Sequence, residues 1–120
     1  MKAILAVILI LGCYYCYADD LGAKTYNMAC SNCHSPKLAS SIGAPPAFVN
    51  KEWRKRYKEA KLACKEHPEK YKSATDYFLQ QVKKGKGLMH HGGLCNESQH
   101  KEKDCSDEAL IAAIKYMSGY

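Results

Sequence analysis

Two cysteines separated by two residues, with a histidine directly behind them, are the groups in this chain best placed to do chemistry. They are Cys30, Cys33 and His34 in the stretch NMACSNCHSPK. Three chemistries use a thiol pair at that spacing: a dithiol redox switch, half of a zinc site, and covalent attachment of a haem. A dithiol switch sits where a strand runs into a helix, and no segment before Cys30 alternates as a strand does. Zinc takes four ligands, normally from two such pairs. His34 lies too close to its neighbouring cysteines to share one zinc readily with both. Cys95 and Cys105, with NESQHKEKD between them, form no matching pair. Haem attachment uses every residue of the motif. Each thiol adds across one vinyl group, the two-residue gap sets the separation of the thioethers, and the histidine is held beneath the iron. CSNCH therefore points to one covalently bound haem c with its iron.

An electron-transfer haem takes a second axial ligand on its other face. Met28 is too near the attachment site to reach over the ring, and Met117 falls on the inward stripe of the last helix, where methionine serves as packing. Met89 stands in a loop between Gly87 and the Gly92–Gly93 pair, 55 residues after His34. Glycines there let backbone approach a bulky group. His90 and His91 follow Met89, and imidazole also suits iron. The residues alone leave these three as candidates, with sulfur giving the higher potential.

The elements that must position these groups are helical. DLGAKTYNMACSNCH (20–34) reads as a helix of two to three turns that breaks at Pro36, and SSIGAPPAF (40–48) as a loop. Asn50 is a plausible N-cap for a helix whose Trp53, Tyr57, Ala60 and Cys64 share one face, with Pro68 ending the pattern. Thr75 caps a second helix, with Phe78 and Val82 inward and Gly85 as its stop. Ser106 caps the last, whose stripe is Leu110, Ala113, Ile114 and Met117. Two acids in its first turn suit the helix dipole. No segment alternates for long, so the class is all-α.

Residues 1–18 have a secretory signal layout: Lys2, nine apolar residues from Ala3 to Leu11, then Cys16 and Ala18 ahead of a cut. The apolar run is shorter than the roughly 20 residues a bilayer span needs. A cut before Cys13, leaving a lipid-anchored cysteine, is the minor alternative. The expected layout is a single domain over 19–120, exported to an oxidising compartment. So small a chain, with few large aliphatics, often depends on a staple or a bound group for its core.

The stretches GAKTYNMACSNCH, IGAPP, KKGKGLMHHGG and DCSDEALIAAIKYMS, in that order, resemble the class I c-type cytochromes, closest to the bacterial cytochrome c5 branch. CSNCH is shared by all c-type cytochromes; the run KGKGLM…GG…CSDEAL is more specific. The resemblance implies a small class I cytochrome c fold, three to five helices around one covalently attached haem. Cys30 and Cys33 would carry the thioethers, and His34 and Met89 would be the axial ligands. Gly22 and Tyr26 would cross the last helix near Ala113 and Tyr116. The carbonyl of Pro45 or Pro46 would accept the other ring proton of His34. Cys95 and Cys105 would form a disulfide. The chain departs from the pattern at His90 and His91, where the family has prolines, and in the nine residues between Cys95 and Cys105, where it has two. Residues 50–74 look like a helical insertion carrying Cys64, and 94–105 like an extended loop.

Lys and Arg number 18 against 12 Asp and Glu, a net charge of +6. Residues 51–72 hold nine of the cations and four of the acids. Nothing resembles a nucleic-acid reading motif. The expectation is a periplasmic, mostly monomeric carrier of single electrons between respiratory redox proteins with acidic docking faces. It is not expected to be an enzyme or to take a substrate, because both axial positions are filled. Other possibilities are an open-site haem protein, peroxidase-like or gas-sensing, and a haem subunit of a larger oxidoreductase.

Overall fold

The structure, a computed structural model, describes residues 20–89, 92–95 and 105–120. The expectations for residues 1–18, Cys13, His90, His91 and the middle of the 94–105 loop lie outside them. Among the described residues there is no strand, and no helix is long and apolar enough to cross a membrane. The fold is all-α, as the sequence implies.

Helix α1 covers residues 20–29. Its inner face, Thr25, Tyr26 and Ala29, is buried. Gly22 is where it crosses the last helix: a Cβ there would stand 2.7 Å from the Ala112 carbonyl oxygen and 3.0 Å from the Tyr116 Cβ. The Tyr26 and Tyr116 rings meet 5.6 Å apart, and Phe48 completes an aromatic trio with both.

The chain turns at Cys30 into α2 (Ser31–His34). Pro36 does not simply end this segment. Extended backbone at Ser35 breaks the helix, and Pro36 then starts α3 (Pro36–Ala39), where its missing N–H costs nothing. A short 3₁₀ turn, Ser40–Ile42, closes on Gly43 at φ 70°. The following loop is anchored twice, Ala47 N–H donating to His34 O (2.7 Å) and Phe48 N–H to Met117 O (2.8 Å).

The expected insertion is a long helix, α4 (Asn50–Glu66), and then irregular chain up to α5 (Ala74–Lys84). Asn50 is the first helical residue and Val49 the cap, without a side-chain cap bond. Ser73, not Thr75, caps α5: its backbone is extended and its hydroxyl accepts from Asp76 N–H at 3.0 Å. Gly85 stops α5. Ser106 caps α6 (Asp107–Ser118), accepting from Ala109 N–H at 3.2 Å.

Helix α5 packs on both α4 and α6. Leu79 and Val82 of α5, Trp53 of α4, and Leu110, Ala113, Ile114 and Met117 of α6 form the core with Tyr26 and Ala29. Tyr120 stacks on Tyr57, centroids 4.5 Å apart, pinning the chain end to α4. Cys95 and Cys105 are disulfide-bonded, their Cα atoms 5.7 Å apart, which ties the loop to the start of α6. Cys64, on the same face of α4 as Trp53, is a free thiol and half-buried.

Candidate functional site

The core does not close at native density. Between α2, α4, α5 and the loop after α5 lies a solvent-connected cavity of about 310 Å³, where ordinary interiors hold voids scarcely larger than a water. Its walls are mostly apolar, with Trp53, Phe78, Val82, Ile114 and Met117 among them. Cys33, His34 and Met89 open onto it. A recess of about 20 Å³ is lined by Cys30, Cys33, His34, Met89 and Gly93, so both thiols, the imidazole and the thioether gather at one place.

Each group is held for a local reason. Helical turns carry Cys33 and His34: His34 N–H donates to Cys30 O at 2.9 Å, and Cys33 N–H to the same oxygen at 3.2 Å. Burial of His34 lowers its pKa, against a smaller opposing effect of its bond to Pro45. Its Nδ1 lies 2.9 Å from the Pro45 carbonyl oxygen. A carbonyl only accepts, so Nδ1 carries the proton and Nε2 keeps its lone pair. The neighbouring Pro46 carbonyl accepts instead from Trp53 Nε1 at 2.9 Å, which fixes the indole 6.1 Å from the His34 ring. Burial, and secondarily the nearby Cys33, push the Cys30 thiol up to about 12.

Met89 is positioned by glycine-dependent turns. Its N–H closes a turn on Lys86 O (3.0 Å), Gly92 N–H reaches Val82 O (2.7 Å), and Leu94 N–H reaches Ala29 O (3.0 Å). A Cβ on Gly93 would stand 2.7 Å from Ala29 O, so this loop could not lie so close to α1 with a side chain there. Among the described residues, no three His, Cys, Asp or Glu side chains gather as zinc would need.

A family profile described as cytochrome c oxidase, cbb3-type, subunit III matches residues 18–117. The chain belongs to this cytochrome c family. No curated protein and no solved structure matches it. As a member of the cytochrome c family it is a c-type haem electron-transfer protein, and its cofactor is a covalently attached haem c with iron. The likeness to the c5 branch rests on the stretches quoted above.

The residues fit that group. Two thiols, an imidazole with a free Nε2 and a thioether converge on a mostly apolar slot. Arg56 also lines the cavity, and its buried Nε has no partner, while its Nη1 lies 3.8 Å from Glu59. A lone donor in the wall suits a group that brings carboxylates, as the two haem propionates do. Sequence reasoning did not single out Arg56. The signal was its place three residues after Trp53, beside the apolar stripe. Trp53 was assigned to the core face, and it also lines the cavity.

Proposed function

We propose that this cytochrome c carries single electrons between exported redox partners, with Cys30 and Cys33 bonded to the haem and His34 and Met89 as the axial ligands. The observation that carries this reading is the meeting of those four residues in one small recess, three of them also lining the apolar cavity, with the Pro45 bond leaving the His34 Nε2 lone pair free. The haem supplies a one-electron iron couple. The chain supplies the rest: His34 is oriented through Nδ1, the apolar walls exclude water, and Arg56 stands ready to pair with a carboxylate. A thioether opposite imidazole raises the potential above that of two imidazoles. With both axial positions held by the chain there is no open site for a substrate, so the protein is a carrier and not an enzyme.

Exchange takes place at the cavity mouth. Leu88 is 77 % exposed there and Ile42 is also exposed, both lining the cavity. Lys84 and Lys86 are exposed nearby, and this combination suits a partner with an acidic rim. On this reading the signal layout of residues 1–18 directs the chain to the periplasm, where it works as a monomer. A second reading, a haem subunit of a larger oxidoreductase, takes its cue from the words of the family's description, and stable copurification with membrane-bound haem subunits is its mark.

Optical spectroscopy tests the ligands. The oxidised protein should show the near-infrared sulfur-to-iron band, and Met89→Ala should abolish it and lower the potential. A band that survives Met89→Ala, or rapid carbon monoxide binding to the reduced parent, would refute the assignment.

A further inference from the structure

Helix α4 segregates its charges. Lys51, Arg54, Lys55, Lys58, Lys61 and Lys65 are all exposed. At 3.6 residues per turn they fall within an arc of roughly 120°, along roughly 21 Å of helix. Leu62, 55 % exposed, is the one large apolar side chain within that arc. Glu52, Glu59 and Glu66, spaced by seven, border the arc on one side. Trp53 and Arg56 beyond that border, and Glu59 on it, line the cavity, so the arc faces roughly the opposite way at helical geometry. Among the described residues, the one ion pair within α4 is Arg56–Glu59, outside the arc; Lys61 leans over the Tyr57 ring at 5.7 Å. A merely solvated helix more often mixes its signs and pairs them across a turn.

We propose that this face of α4 docks the protein on an anionic membrane surface, its lysines against lipid phosphates, leaving the cavity mouth free for redox exchange. Charge complementarity carries the assignment. Five of the six cations are lysines, compact point charges without the forked geometry that matches a particular carboxylate. The row has no aromatic anchor, whereas a protein interface is built around such anchors and a buried apolar centre. A plane of headgroups needs neither. It satisfies a line of cations in any register, and Leu62 can dip into the interface between them. This surface is independent of the iron ligands, so the proposal stands apart from the assignment of Met89.

Vesicle sedimentation of the mature, processed holoprotein tests it. The probes are phosphatidylcholine vesicles with and without about one-third phosphatidylglycerol, an anionic fraction chosen to give a surface potential. Binding is expected to the anionic vesicles alone, and to vanish at 1 M salt, where charges are screened beyond about 3 Å. Lys55→Gln with Lys58→Gln should weaken it by about 25-fold, from about fivefold per lysine. Lys37→Gln with Lys115→Gln, the same charge change on exposed sites elsewhere, should leave it within about twofold. Reduction of the haem by a small soluble reductant should proceed equally fast on and off the vesicles. Equal loss in the two double variants, or binding that persists through salt or on neutral vesicles, would overturn the proposal. So would capture by an acidic protein without any vesicle binding. Slower reduction of the bound protein would overturn the orientation.

Discussion

At the scale of single residues, hydrogen bonds and burial decide which atoms are available. The Pro45 carbonyl fixes the tautomer of His34, and burial lowers the ring's pKa, favouring its neutral form. Two tyrosines give the fold a predictable alkaline limit. Burial raises the pKa of Tyr26, with the nearby Tyr116 adding to it; burial also raises that of Tyr77, with Tyr71 the next cause. The folded state therefore keeps protons that the unfolded chain loses near pH 10.0. That stability is fully present below pH 10 and declines as pH rises above it. Denaturant titrations at pH 8 and above should show the decline, and Tyr26→Phe with Tyr77→Phe should flatten it. CSNCH was legible in the sequence because its chemistry depends on spacing along a few residues. Arg56 was not, since its unpartnered Nε exists only once α4 is packed against the rest of the cavity wall.

At the scale of elements, caps and close crossings hold the site in place. Gly22→Ala gains about 1 kcal/mol of helix propensity. It also drives a methyl into the Ala112 backbone oxygen at 2.7 Å, which cannot rotate away. The net effect should be a loss of about 2 kcal/mol, within the cost of overpacking. Ser106→Ala should cost about 1 kcal/mol through its lost cap bond. Chemical denaturation of both variants measures these. The helical faces of α4 and α6 could be read from periodicity, and Gly85 and Ser106 from their chemistry as stop and cap. Boundaries failed where two residues compete for one role. Ser73 and Thr75 both carry a hydroxyl, and the extended backbone at Ser73 decides between them. Pro36 reads equally as the end of one helix or the first turn of the next, and here extended backbone at Ser35 makes it the latter. The cross-contacts were foreseen through family likeness, not periodicity: Gly22 on α6 (at Ala112 and Tyr116), His34 on Pro45, and Cys95 with Cys105.

At the scale of the whole molecule, a shell formed by α2, α4, α5 and the loop after α5 walls an apolar, solvent-connected cavity of about 310 Å³, and net charge sits mainly on one helix. Electron exchange with a partner that meets the mouth at Lys84 and Lys86 should slow as ionic strength rises, because screening removes the attraction between exposed charges. Lys84→Gln with Lys86→Gln should flatten that dependence in stopped-flow transfer rates. The shell's sparse core is intelligible only if a large apolar group fills the cavity, and the thiols beside it are what would bind that group permanently. The direct measurement is the mass of the native protein after denaturation. The expected mass is that of the chain plus one haem, retained through unfolding and lost as a covalent adduct when Cys30 and Cys33 are both replaced by serine. A native protein with the mass of the bare polypeptide would contradict it.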